Sequence, residues 1–592
     1  MISVIWLEQN AMDSFHVKDV EVSAENVYLV PHADRGGQLT CEYVRVRKKR
    51  GKGSELYPIR KSSVASTGNR STAEINDPLA RNPISFSPLG SPMVPLDIDR
   101  GGVLFSDSTF NSPRWLNLTS LGSSELFISG YQDQQLYPVL EPIINDISFI
   151  HPKLLADLMG VYFSNTVYGF APIIRKSSVL SLRNPRRCTP ALLYSFLLVS
   201  AHASDHILIK ATPTTRQELI STLHDRVLTH IRGLTYSGAG GSLDDVVTYI
   251  HLGIAASTSE LKGSSMRWWN AASNLARLLK FNVEDESMDT EQREERRRAW
   301  WLLFVMDRHL GQCYNRPPHI LDSECDNLFV PADDSIWSGD GPLPIPEVER
   351  RPKGPPFRVT GPGMFGVILP LMVVLGGIIE LHFLEQSRAL AIPANMLASI
   401  RIQYLNRLQD LDESADLNLS SSTIYSLAWK EYCKCLIHIF HILLQGHWDP
   451  IDTLNNIESL LQNPEFDSSV HHSIQAAKSI EQILRFDPDL RLIPFFFGIQ
   501  LLQSGFILLA MTDKLDKIGD DVKHACDVLV HAHEVCIVTL NTEYQRNFRQ
   551  ILRGATQAVL IPDSEEYELE RSSRMHLLKL YRWGPGGTGL AI

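Results

Sequence analysis

The stretch EERRRAWWLLFVMDRHLGQCYNRPPHILDSECDNLFVP, residues 294–331, decides the fold of this chain. It opens as a charged helical turn, becomes a solid apolar run from Ala299 to Met306, and ends in the pair Asp307-Arg308. Asp289, with Gln292 three residues on, is the expected N-cap. Glu294 stands four residues before Arg298 and Glu295 three before it, spacings that support a first helical turn by a few tenths of a kcal/mol. Eight consecutive apolar residues leave no polar face, so the second half is expected to be buried all round. The Arg-rich turn before it reads as a solvated face, and the Trp300-Trp301 pair as core. Asn315-Arg316-Pro317-Pro318 then stops the helix and sends the chain out extended.

Outward from this stretch, 592 residues exceed what one core holds, so the chain should divide into two or more units. A net charge of −11 argues against non-specific nucleic-acid binding by the whole molecule, leaving any DNA contact to a local basic segment. Eight cysteines in so long a chain, with no basic-then-apolar leader in MISVIWLEQNAMDSFH, fit reduced thiols in the cytosol or nucleus. The apolar run Met364–Ile379 carries Pro370, and Leu492–Met511 includes Gln500, Gln503 and Ser504. Both read as buried helices, so no membrane location is expected.

Four segments follow from composition. Residues 1–40 carry no recognisable motif. Residues 41–54 hold Cys41 and the basic run Arg45, Arg47, Lys48, Lys49, Arg50 and Lys52. Residues 55–135, rich in Ser, Pro, Asn and Gly, have linker composition and are expected to be disordered. Residues 136–592 are dominated by helical periodicity with almost no strand-length alternation, so the fold class is all-α, a large helical region behind a disordered N-terminal segment. Helices are expected over 152–163, 191–204, 217–231, 243–257 with Ser242 as N-cap, 264–279, 394–412, 422–444, 468–486, 493–511 and 522–540. Residues 335–362 read as a Pro/Gly-rich surface loop.

Catalytic patterns find no support. At roughly 100° per residue, Cys433, Cys435, His438 and His441 spread over more than half the circumference of one helix, too wide for a single tetrahedral ion. His531 and His533 lack the four-residue spacing of a zinc-protease pair. The loop 237–242 lacks the Gly-Lys-Ser/Thr ending of a phosphate loop, and the match at Gly584–Gly589 has no helix behind it to present an N-terminus. The adjacent pairs Asp244-Asp245 and Asp333-Asp334 point about 100° apart on a helix and cannot flank one bond. The basic run is different: it suits phosphate contact or nuclear import.

Several long stretches carry a resemblance. They are Asn184-Pro-Arg-Arg-Cys188, Gly241-Ser-Leu-Asp-Asp-Val246, Arg267-Trp-Trp269, Arg293-Glu-Glu-Arg-Arg-Arg-Ala-Trp-Trp301, Asp307-Arg-His309 and Cys313-Tyr-Asn-Arg-Pro317. Further on come Leu321-Asp-Ser-Glu-Cys325, Trp448-Asp-Pro450, His533-Glu534, Tyr544-Gln-Arg-Asn-Phe548, Tyr581-Arg-Trp583 and Gly587-Thr-Gly-Leu590. Together they resemble the fungal zinc-cluster transcription factors that activate xylan and arabinan degradation. The resemblance implies a nuclear, non-enzymatic activator whose partners are DNA, the transcription machinery, and a pentose inducer or a co-regulator. It also implies a DNA-binding head in which six cysteines hold two zinc ions, followed by a basic stretch.

Cys41 resembles the last ligand of that head, and Arg45–Lys52 its basic stretch, but no other cysteine precedes Cys188. One thiolate cannot hold two zinc ions, so no zinc is expected on this chain as written. Two explanations stand open: a misread or alternative start, to which the join at Cys41 points, or a co-regulator that works without DNA binding. For a sugar-sensing pocket, the resemblance leaves Trp268, Trp269, Trp300 and Trp301 as rings that could stack on a pentose, with Asp307, Arg308 and Arg316 beside them.

Overall fold

The computed structural model describes residues 27–33, 39–45 and, from 137 to 590, everything except 165–172, 205–208, 210–212, 237–240, 259–261, 342, 344–350, 388–391, 493, 495, 515–518, 541–542 and 559–564. The chain forms two compact units, Met1–Leu121 and Gly122–Ile592. In the first, strand β1 (Val27–Ala33) pairs antiparallel with β2 (Leu39–Arg45). Val27-Tyr-Leu-Val30 and Tyr43-Val44 are strand-favouring residues, and Gly36-Gly37 lies between the two runs. Cys41 stands on β2 opposite Pro31, and Arg45 ends that strand opposite Val27. β1 falls on residues whose sequence offered no motif, while β2 takes in Cys41 and Arg45 of the 41–54 segment. Arg47, Lys48, Lys49, Arg50, Lys52 and the expected linker lie outside the described residues.

The second unit is all-α, as expected. Its longer helices are α1 (Pro152–Ser164), α2 (Pro190–Ala203), α3 (Pro213–Tyr236), α4 (Leu243–Thr258), α5 (Lys262–Leu278), α6 (Thr290–Cys313), α7 (Leu369–Gln386), α8 (Ala394–Asn418), α9 (Ile424–Leu444), α10 (Pro464–Phe486), α11 (Phe497–Lys514), α12 (Asp520–Leu540), α13 (Glu543–Ala558) and α14 (Glu565–Leu578). Two short strands, β3 (Tyr581–Arg582) and β4 (Gly589–Leu590), pair antiparallel at the end. The expected helices are all present with ends shifted by a few residues; α13 and α14 lie outside the sequence expectation.

Helix α6 is the axis. It packs against α4 and α5 on one side and against α7 and β4 on the other, so the N-terminal and C-terminal halves of this unit meet on it. Asp289 caps it as expected, its carboxylate accepting from the Gln292 N–H at 2.8 Å. Every residue from Ala299 to Met306 is buried, because neighbours cover all sides of a run that offers water no polar group. Helix α4 is capped by reciprocal bonds: Ser242 N donates to Asp245 Oδ2 at 2.7 Å, and Asp245 N to Ser242 Oγ at 3.4 Å.

Met364–Gln386, a π turn running into α7, is long and apolar enough to cross a membrane by length and composition. It is 83% buried inside the protein, which is sufficient reason for its apolarity. The 335–362 segment departs from the surface loop expected of it. Asp334–Ser338 forms a helical turn, Trp337 is 0% exposed, and Val359 is buried. Arg175 and Arg298 lie over the Trp337 ring at 5.8 and 5.2 Å, and these cations come from distant parts of the chain.

Candidate functional site

The Arg-rich turn of α6 is not a solvated face: Glu294, Glu295, Arg297 and Arg298 are each at most 2% exposed. The physical reason is that every charge has a partner brought from elsewhere. Arg297 donates to Glu284 at 2.7 and 2.6 Å and to Glu294 at 3.2 Å. Arg298 donates to Asp334 and to the Ala332 carbonyl. Arg351 reaches Glu294 at 2.9 Å, and the Ala332 N–H donates to the same carboxylate at 2.6 Å. Burial raises the Glu294 carboxyl, yet Arg351 and Arg298 outweigh it and hold the group below its ordinary value.

Glu295 belongs to a second set. Arg186 donates to it through Nε and Nη2, each at 3.1 Å, and through Nη2 contacts Asp244 at 2.8 Å. Asp244 also accepts from the Thr189 N–H, the cap of α2, at 2.8 Å. Burial, the largest cause, pushes the Glu295 carboxyl up to about 7 against the pull of Arg186. Three of the stretches singled out in the sequence, 184–188, 241–246 and 293–301, therefore converge on one guanidinium.

At the far end of α6 lies a third set. Asp307 Oδ1 accepts from both Nη atoms of Arg316 at 3.1 Å, and its Oδ2 accepts from the backbone N–H groups of His319 and Ile320 at 2.7 and 2.8 Å. Asn315, at φ +47°, turns the chain back so that these amides face the carboxylate. Arg308 donates to Asp322 at 2.7 Å, lies over the Phe304 ring at 3.3 Å, and burial lowers its pKa. Thus Asp307, Arg308 and Arg316 are brought together, as a knot that ties the descending loop to the helix.

Of the four tryptophans, Trp300 reaches the knot through Cys325, which lies beside Arg308. Trp300 and Trp301 are 0% exposed; their N–H groups go to Cys325 Sγ at 3.2 Å and the Phe329 carbonyl at 2.8 Å. Trp269 donates to Ser265 Oγ at 3.1 Å, and Trp268 stacks on Tyr249 with centroids 5.8 Å apart.

The C-terminal stretches close a fourth set. Asp449 caps the short helix Pro450–Asn455 with Oδ1. Its Oδ2 accepts from Arg582 Nε at 2.6 Å, Trp583 N at 2.8 Å and Gly584 N at 2.9 Å. Trp583 donates from its ring to the Gln312 carbonyl, and Asn315 donates to the Gly587 carbonyl at 3.0 Å. Gly589, at φ +77°, lies so close to the Cys313 carbonyl that a Cβ there would collide with it.

Among the described residues no group of three or more His, Cys, Asp or Glu side chains is arranged to hold a metal ion. Cys433 and Cys435 are buried free thiols, whereas His438 faces His472 of α10, a neighbour that reading one helix could not supply. Acids and bases in these sets are paired with one another and with backbone amides. Sequence reasoning also missed Arg186 as the meeting point, and the fully buried amides of Gln500 and Gln503; these two polar side chains in an apolar run were the visible signal.

A family model described as the fungal specific transcription factor domain matches residues 159–343, which includes α6 and, Arg351 aside, its first three sets of pairs. Residues 159–343 thus match the fungal specific transcription factor domain. The chain is 33% identical, over 81% of its length and 62% of the relative's, to the xylanolytic transcriptional activator xlnR of Aspergillus clavatus. It is 34% identical to that of Aspergillus niger, covering 64% of it, and 34% identical to that of Emericella nidulans, covering 67% of it. The chain belongs to this family of xylanolytic transcriptional activators, and it spans about two thirds of the length of the relatives it matches. No solved structure matches it.

Proposed function

We propose that this chain is a nuclear transcriptional activator of genes for xylan and arabinan degradation and pentose use, and that its helical body is a non-catalytic regulatory region. The observation that carries this reading is the identity of 33–34% to xylanolytic activators over 81% of the chain. The internal pairing of nearly every buried acid and base on α6 supports a body that transmits a state rather than one that performs a reaction. In this reading the body responds to a pentose and engages the transcription machinery.

Zinc is the family's cofactor, but the residues present do not fit its cluster: Cys41 is the sole cysteine before Cys188, and it lies within β2. Among these residues we assign phosphate contact and nuclear import to Arg45, Arg47, Lys48, Lys49, Arg50 and Lys52. A second reading is a co-regulator that works through protein partners.

A gel shift against xylanase promoter DNA over a salt series separates the two. DNA binding with a log–log salt slope of roughly −5, as six neutralised phosphates give, supports the first. No binding, with xylanase transcripts still dependent on the chain in the cell, supports the second. Transcripts that ignore the chain altogether overturn both.

A further inference from the structure

Helix α8 buries one side and leaves another open to water. Leu408, Leu411, Ser414 and Ala415 are buried, and the half-buried Leu397, Ile400 and Tyr404 continue that face toward the N-terminus. On another side, Asn395, Ala398, Ile402, Leu405, Gln409 and Glu413 are all exposed, Ile402 at 57% and Leu405 at 39%. At roughly 100° per residue these six lie within about 80° of one another. The first five follow the alternating three- and four-residue spacing by which two helices pack along a seam.

The chemistry of this seam selects what covers it. Between Pro393 and Asn406 the only charge is Arg401, and Glu385 of α7 holds it at 2.8 Å. A phosphate backbone or a lipid surface needs cations that this face lacks. A second copy of the same helix meets no such obstacle. A two-fold contact sets a surface against itself, and a face without like charges has nothing to repel. Side-chain sizes also match in an antiparallel arrangement centred between Ile402 and Leu405. There Ile402 faces Leu405 of the second copy, and Ala398 faces Gln409, a small residue against a long one. The ends are complementary too. Helix α8 starts after Pro393 with no side-chain cap and no acidic residue in its first turn. Glu413, which accepts from Gln409 at 2.9 Å, stands at the height of that open N-terminus in the second copy.

We propose that two copies of this chain associate through α8, antiparallel about a two-fold axis between Ile402 and Leu405. From Ala394 to Glu413 the contact is about 29 Å long at 1.5 Å per residue, a small interface of the kind that forms and parts reversibly. Exposed apolar residues along one stripe of an otherwise polar surface are what such an interface leaves visible in the single chain.

Sedimentation of the full chain over roughly 1–100 µM tests this. Wild type is expected to pass from monomer toward dimer across that range. Leu405→Glu, which places a carboxylate in the contact twice, is expected to raise the dimer Kd by roughly tenfold or more. Because Leu405 is exposed in the single chain, the variant should keep the wild-type Tm when dilute. Cross-linking reads the register and stands in should that variant fail to fold. Ile402→Cys mixed with Leu405→Cys is expected to give a disulfide dimer with oxidised glutathione, above the wild-type background. Met396→Cys, 57% exposed but about 140° round the helix from the seam, is not. Wild type that stays monomeric at the top of the range overturns the proposal. So does a dimer that Leu405→Glu leaves intact, or one that Met396→Cys traps as readily as the mixed pair. A monomer whose α8 face is covered only by a different protein names another occupant and overturns it as well.

Discussion

Arg186 and Glu295, 109 residues apart in sequence, meet through three guanidinium–carboxylate contacts, at 3.1, 3.3 and 3.1 Å. Glu295 is 2% exposed, so the pair holds α6 to the loop before α2 from within. Arg186→Met should leave Glu295 and Asp244 without their shared cation and cost about 3–5 kcal/mol, read as a lowered urea midpoint. The double change Arg186→Met/Glu295→Met should recover much of that loss, because the stranded charge is gone. Additive losses would show that the two residues do not act as a pair.

Asp307 holds the chain reversal after α6 through five donors, two from Arg316, one from Arg308 and two from backbone. Asp307→Ala should cost a similar amount, about 3–5 kcal/mol, since it strands the buried donors that faced the carboxylate. The distinctive outcome is local. Hydrogen exchange at the His319 and Ile320 amides should accelerate beyond what the global loss of stability accounts for. Unchanged local protection would contradict the role given to this carboxylate.

The clasp at Asp449 gathers Arg582, Trp583 and Gly584 on one oxygen. Trp583 is 0% exposed and packs 5.8 Å from the Phe506 ring, so Trp583→Ala should cost about 3–5 kcal/mol. Asp449→Ala should leave most of the apolar packing in place yet free the last residues, giving early proteolytic cutting after Lys579 or Arg582. A protease map identical to wild type would rule the clasp out.

His438 Nδ1 lies 3.0 Å from His472 Nδ1, and the His441 ring stacks on His472 at 4.2 Å. Two facing ring nitrogens share one proton. Burial first, then mutual repulsion among these rings, His471 and Lys434, brings His438, His441 and His472 down to about 4. The unfolded chain takes up these protons near pH 6.5 and the folded chain refuses them. Stability is therefore complete above that pH and falls as pH drops from about 6.5 toward 4. Glu295 runs the other way: its raised carboxyl favours the folded state most below pH 4.5, an advantage lost as pH rises through about 7. His472→Gln should flatten the acid-side slope of unfolding free energy by less than about 1.4 kcal/mol per pH unit, discounted for the partial exposure of that ring. An unaltered slope would remove these histidines from the acid response.

Local signals carried far in this chain. The Asp289 cap, the Ser242 cap, the all-round burial of Ala299–Met306 and the stop at Asn315 are short-range consequences of side-chain chemistry, and each is present. What escaped is long-range. Nothing in the Arg296-Arg-Arg298 run announces that Glu284, Asp334 and Arg351 will arrive to cover its neighbours, so a charged turn read locally looks solvated. The same holds for His438, whose partner His472 comes from α10. Gln500 and Gln503 were visible as polar breaks in an apolar run, but only the packed structure shows that both are fully enclosed with bonds left open. The meeting of residues 184–188, 241–246 and 293–301 on Arg186 likewise needed coordinates, since no spacing rule links them.

The central claim is that the helical unit is a pentose-responsive transcriptional switch. The most direct measurement joins the full chain to an unrelated DNA-binding domain in a fungal host and reads a reporter under that domain's site, with and without D-xylose. The account predicts reporter expression that rises with xylose and falls toward background when Arg186 is replaced. Expression that stays at background with xylose present, from a chain shown to be folded and nuclear, would contradict it.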